Sequence, residues 1–323
     1  MPRLRRVRPG VDAGIRRVRS GSGFRYLDGQ GEPCSAEDRE RILALVIPPA
    51  WRDVWISAAP NGHIQAVGVD EAGRSQYLYH ADWAPKRDKG KYARALLLAE
   101  ALPRARGRVT AALRTDDLSR ERVLATAFRL LDQAAVRIGS ERHLSRTGNR
   151  GLTTLQRRHA TVDGSTVTLS FPGKSGKRQL IEFDDADLAA VLAVLTAGRP
   201  GSPLLSWDRG RQRQPLTPKE VNAYVRSLTG GDFTAKDFRT LRGTVLAADT
   251  LARIGTVDRK RDRKRAEVLA VKRASDALGN TPTVARGSYI DPRVFSRYRA
   301  GRLLDTSVSP ESAIRALILQ SVP

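Results

Sequence analysis

The hydrophobic period changes near residue 83, and that change limits the possible folds more than any other feature. Before it, short runs rich in aromatic and β-branched residues follow one another: VWIS (54–57), HIQAVGV (63–69) and RSQYLYH (74–80). Turn signals separate them, at Pro60-Asn61-Gly62 and at Asp70–Gly73. In the third run Gln76, Leu78 and His80 alternate with Tyr77 and Tyr79, the period of a strand with two different faces. The segment WAPKRDKGK (83–91) is charged and carries Pro and Gly, so it reads as a linker. Beyond it the period is helical.

Residues 119–138 place Val123, Ala127, Leu130, Leu131, Ala134 and Ile138 on one face. Gly139 closes that helix, with Arg137 in the last turn, where the macrodipole alone would favour a cation. Residues 159–183 then read as a three-stranded antiparallel meander with a hairpin turn at Asp163-Gly164. Its second turn, PGKSGK, places Lys174 at an exposed tip. It is not a nucleotide-binding loop, because it lacks the required glycine frame and opens no helix. Further helices end at Gly198 and at Gly230-Gly231, the second opening with the capping box Thr217-Pro218-Lys219-Glu220. Thr234 caps a helix that begins with AKDFR. Residues 253–273 hold nine basic side chains and three acidic ones on one expected helix. Gly279, Thr281-Pro282, Asp291-Pro292 and Ser309-Pro310 mark the remaining helix boundaries. The expected class is α+β. A small β-rich domain (1–90, with a basic N-terminal arm) precedes a larger, mainly α-helical domain (91–323) that contains the small sheet.

Charge indicates the partner. Lys plus Arg number 57 against 34 Asp plus Glu, a net charge of +23. Such an excess favours a polyanion, most often nucleic acid, although a solubility surface has the same composition. Arg74 beside Tyr77 and Tyr79 offers a surface for phosphates and bases; a half-buried strand explains the same pattern equally well. Cys34 is the single cysteine, so no disulfide can form within the chain. His63, His80, His143 and His159 lack metal-ligand spacing, and Asp184, Asp185 and Asp187 read as a helix start. No apolar run approaches the ~18 residues of a membrane helix. These features give a cytoplasmic protein without metal, cofactor or nucleotide.

Tyr289 stands out because Gly287 and Ser288 precede it where an apolar stripe would be expected. Taken alone it would simply pack, with its hydroxyl wet. Its company is more informative. Arg137 in AAVRIGS, Lys174 on its hairpin, Lys236 and Arg239 in KDFR, and the T-P-x-x-x-x-x-x-Y stretch ending at Tyr289 occur in an order that resembles the catalytic domain of type IB DNA topoisomerases. The likeness extends to tyrosine recombinases and is strongest for the poxvirus-like and bacterial branch. GRSQYLYH resembles a DNA-contacting strand of the N-terminal domain in that branch.

The resemblance implies a C-shaped clamp around duplex DNA, acting as a monomer in the bacterial nucleoid. Tyr289 would attack a phosphodiester and hold the 3′ phosphate. Arg137, Arg239 and Asn280 would bind that phosphate, Lys174 would protonate the leaving oxygen, and Lys236 matches a further lysine linked to cleavage. Several members of the family carry histidine where this chain has Asn280, which can donate a hydrogen bond but cannot become a cation. Recombinases usually show H-x-x-R where this chain has K-D-F-R. A site-specific recombinase and a non-enzymatic basic DNA-binding protein remain as alternatives.

Overall fold

The first unit is built on an antiparallel sheet. The computed structural model describes residues 3–173, 178–210 and 212–320, with the backbone alone for 84–89. The chain divides into two units at Gly90/Lys91. In the first, β1 (Gly14–Ser20) and β2 (Gly23–Leu27) precede α1 (Ala36–Ala44), followed by β3 (Arg52–Ser57), β4 (Ile64–Val69) and β5 (Ser75–Tyr79). Sheet order is β2-β1-β3-β4-β5. Ile15, Val54, Ile56 and Ala66 from the strands pack with Ile42 of α1 to form its core.

Two expectations fail here. The arginine-rich N-terminus is not an arm: β1 lies inside the sheet, between β2 and β3. Arg17 accounts for the misreading. Its guanidinium stacks on Phe24 at 4.1 Å and donates to the carbonyls of Pro48 and Trp51, at 3.1 and 2.6 Å. It therefore works as a half-buried strut. Residues 83–91 are not an irregular linker either, because α2 runs from Trp83 to Leu113.

The second unit continues with α3 (Arg120–Ala134), α4 (Glu141–Thr147), β6 (Ala160–Asp163), β7 (Thr166–Pro172) and β8 (Arg178–Asp184). Then follow α5 (Ala186–Thr196), β9 (Ser206–Arg209), β10 (Gln212–Pro215), α6 (Pro218–Thr229), α7 (Ala235–Ile254), α8 (Lys260–Leu278), α9 (Pro282–Ser288), α10 (Arg293–Arg299) and α11 (Pro310–Leu319). The strands β6-β7-β8 form the expected meander. The capping box at Thr217 and the Thr281 cap form as expected. The basic stretch 253–273 is not one helix: Gly255 ends α7, and α8 starts at Lys260. The core centres on α3 and α7, where Phe128 meets Phe238 edge-on at 5.3 Å.

One departure bears on the site. α3 stops at Ala134, and Ala135 turns left-handed, with φ 46°. An alanine adopts that conformation at a cost of about 1–2 kcal/mol, so tertiary contacts must hold it. The chain then continues without regular secondary structure. Arg137 O accepts from Leu152 N at 2.8 Å, and Ile138 O from Thr153 N at 2.9 Å. Arg137 is therefore on an irregular segment and not in a helical turn. Gly139 is a point of close approach: a Cβ on Gly151 would sit 2.5 Å from Gly139 N and 2.6 Å from Arg137 O.

Gly151→Ala must push backbone aside and should destabilise the protein by at least about 1–3 kcal/mol. Gly107→Ala, exposed inside α2 with nothing within 4 Å of a new Cβ, should instead stabilise it by about 1 kcal/mol. Urea unfolding of both variants beside the parent measures the contrast.

Candidate active site

α7 supplies the centre of the site. Thr234 and Asp237 cap its start, and Lys236 and Arg239 follow within the first turns. Arg239 is only 4% exposed. Its two terminal nitrogens donate to Ala135 O at 2.5 Å and to Leu278 O at 2.8 Å. These carbonyls close α3 and α8, where no intrahelical donor reaches them and the helix dipole makes them negative. Both helices then turn left-handed, at Ala135 and at Gly279. Burial lowers the Arg239 pKa to about 10, the like charge of Arg137 adds to the fall, and Tyr289 opposes it. The group is still a cation at neutral pH.

Arg137 reaches the same place from the irregular segment after α3. It donates to Gly279 O at 3.3 Å and to Asn280 Oδ1. Since a guanidinium can only donate, this contact fixes the Asn280 amide with its oxygen toward Arg137. The amide nitrogen Nδ2 is left buried without a described hydrogen-bond partner, as is Nε of Arg239. Burial also lowers the Arg137 pKa, against the pull of Tyr289. The described partners of both arginines are carbonyl and amide oxygens, with the Tyr289 hydroxyl added for Arg239, and not carboxylates, so their charge is left for something else.

Tyr289 caps the C-terminal end of α9, its N–H bonded to Ala285 O at 2.9 Å. Its ring lies 4.9 Å from the Arg239 guanidinium carbon. Gly243 of α7 makes that approach possible: a Cβ there would lie 2.7 Å from Tyr289 O. Burial pushes the phenol pKa up, but the charge of Arg239, with those of Arg137 and Lys236, outweighs it and holds the group below its ordinary value. Lys236 itself is exposed.

Five of the expected residues thus come together: Arg137, Lys236, Arg239, Asn280 and Tyr289. Lys174 lies outside the described residues. The strands beside it are described as far as the pair Pro172–Arg178. Next to that pair Gln179 reaches over Gly279 and lines one cleft with Arg137, Arg150 and Arg239. The sequence reading missed Gln179 and Arg150. One is an unremarkable polar residue in an alternating strand, and the other is one arginine among many.

Arg74, Tyr77 and Tyr79 belong to the first unit. Tyr77 and Tyr79 are 45% and 43% exposed and stack with their rings 6.0 Å apart, so that face of β5 is an open aromatic surface. Arg74 is paired with Asp70 at 2.7 Å and holds the turn that starts β5. Among the described residues no group of three His, Cys, Asp or Glu could hold a metal ion, and no helix is long and apolar enough to cross a membrane.

Two family models match the chain. The catalytic core of eukaryotic DNA topoisomerase I covers residues 80–298, and the N-terminal domain of bacterial DNA topoisomerase IB covers residues 23–70. A DNA topoisomerase 1B of Acanthamoeba polyphaga mimivirus is 27% identical over 285 residues, which is 86% of this chain and 85% of that protein. All five assembled residues fall inside the catalytic-core match, which takes in most of the chain. By that match the chain belongs to the type IB DNA topoisomerases.

Proposed function

We propose that the protein relaxes supercoiled duplex DNA as a monomer, with Tyr289 as nucleophile. The observation that carries this reading is the Tyr289 ring held 4.9 Å from a buried arginine that has no carboxylate among its described partners. A free phenol has a pKa near 10, so only about one in a thousand is ionised at neutral pH. The surrounding cations favour the ionised form. The phenol gives its proton to solvent and forms a bond to phosphorus. The 5′ oxygen leaves with its electron pair and takes a proton from Lys174. The DNA is then joined to the protein through a 3′ phosphotyrosyl ester. Reversal of the step, after rotation of the free end, reseals the strand.

Arg137 and Arg239 stabilise the charge on the phosphoryl oxygens during transfer, and the free N–H groups of Asn280 and Arg239 are donors of the kind this needs. Lys236 adds charge next to the phenol. The ester conserves the bond energy, so ATP has no part in the reaction, and the fixed cations do the electrostatic work. Arg74, Tyr77 and Tyr79 serve as a DNA-contacting strand, an assignment supported by the open aromatic face of β5. The net charge of +23 supports a DNA partner.

Plasmid relaxation with EDTA present and ATP absent should go to completion, and Tyr289→Phe should bind duplex normally yet relax nothing and form no adduct. A requirement for a divalent metal or ATP, or an adduct in the Phe variant, would refute the mechanism.

Arg137→Ala and Arg239→Ala should each raise the cleavage barrier by at least about 3 kcal/mol while duplex affinity changes far less. Equal losses in binding and cleavage would make them anchors only.

The phenol should also titrate below its usual pKa near 10 in the parent protein. Arg239→Ala removes the largest influence that lowers it, so its titration should move to higher pH. Tyrosinate absorbance, taken as the difference from Tyr289→Phe and from Arg239→Ala/Tyr289→Phe respectively, reads both. An unchanged titration in the Arg239 variant would mean that its charge does not act on the phenol.

A further inference from the structure

A nucleophile needs a fixed pivot as well as a positive neighbour. α9 is short and exposed on most of its surface, and Tyr289 comes at its very end. The backbone beyond is held from α7. Thr244, five residues after Arg239 on that helix, is 2% exposed. Its hydroxyl lies 2.8 Å from Thr240 O and 3.3 Å from Tyr289 O, and accepts from Asp291 N at 3.1 Å.

A threonine inside a helix commonly spends its hydroxyl on the carbonyl four residues back. Thr126, Thr229 and Thr250 do this here. Thr244 makes that bond too, but it also takes one backbone group on each side of the fully buried Ile290. A hydroxyl has one hydrogen and two lone pairs. The hydrogen is shared between the carbonyls of Thr240 and Tyr289, while a lone pair accepts from Asp291. Next to it, Gly243 leaves room for the Tyr289 backbone to lie directly on α7. A second grip exists upstream, where Arg286 of α9 and Arg299 of α10 meet Glu267 of α8. That grip fixes α9 to α8 and α10. It does not tie Tyr289 to the helix that carries Arg239.

We propose that Thr244 is a positioning residue for strand transfer: its hydroxyl pins residues 289–291 to α7 and so sets the distance between the Tyr289 oxygen and Arg239. The proposal rests on Tyr289 being the nucleophile. Thr244 touches neither the DNA nor the reacting atoms, and it acts by holding the backbone that carries them. A displacement of about 1 Å at a reacting centre can slow chemistry by about a hundredfold.

Thr244→Val keeps the shape and removes the hydroxyl; Thr244→Ser keeps the hydroxyl. Single-turnover adduct formation on a suicide duplex is measured against pH, with duplex affinity and thermal unfolding measured alongside. The Val variant should form adduct about a hundredfold more slowly, at unchanged affinity, with the rising limb of its pH profile displaced to higher pH as the phenol leaves Arg239. The Ser variant should recover most of the rate and the parent profile. Gly243→Ala retains the hydroxyl but puts a Cβ against the Tyr289 carbonyl; it should be slow in the same way, and it carries the test if the Val variant does not fold. A Val variant with the parent's rate and pH profile, or a folded Ser variant as slow as Val, would overturn the proposal. So would a Gly243 variant of parental rate where Val is unfolded. An adduct formed by Tyr289→Phe would instead remove the nucleophile reading on which it rests.

Discussion

One buried guanidinium organises the catalytic unit. Arg239 lies between the carbonyl ends of α3 and α8 and joins two helices that are far apart in sequence. A charge buried without a counter-ion is ordinarily expensive. Here two helix dipoles lower the cost, and they do so without neutralising the cation. Carbonyl dipoles hold an arginine in place and leave its field intact. A carboxylate in their place would have held it equally well and cancelled that field.

Other buried ions in the same unit show the contrast. Arg106 meets Asp132 and Glu311, at 2.7 and 2.6 Å, tying α2, α3 and α11 together. Glu267 receives Arg286 and Arg299. In these ion pairs every cation meets a carboxylate, and the network serves packing and orientation. Arg137 and Arg239 are held by neutral acceptors. In a chain with 57 basic residues, composition cannot separate arginines that close ion pairs from arginines held by neutral groups. The nature of the acceptor can.

That distinction also explains how much could be read from the sequence. Features set by neighbouring residues were legible: the Thr217 capping box, the Asp163-Gly164 turn, the Thr281-Pro282 helix start and the alternation in β5. Features set by distant contacts were not. Nothing local makes Ala135 turn left-handed; the Arg239 side chain from another helix bonds to its carbonyl. So α3 looked longer than it is, and Arg137 was placed in a helical turn. β1 was hidden because Arg17 acts as a half-buried strut, a role that requires the Pro48 and Trp51 carbonyls to converge on it. Tyr289 itself was found by its motif, but its hold on α7 through Gly243 and Thr244 has no linear signature.

The orientation of the Asn280 amide has a consequence for chemical drift at this position. Arg137 presents hydrogens to it, so whatever side chain stands there must offer an acceptor inward and keep its donor for the far side. A neutral imidazole meets the same two demands, accepting with one ring nitrogen and donating with the other. The adjacent cation would discourage a second proton on that ring. Asparagine and a neutral histidine can then meet Arg137 in the same way. The permanent charge next door decides which residues are interchangeable, and it does so before any substrate arrives.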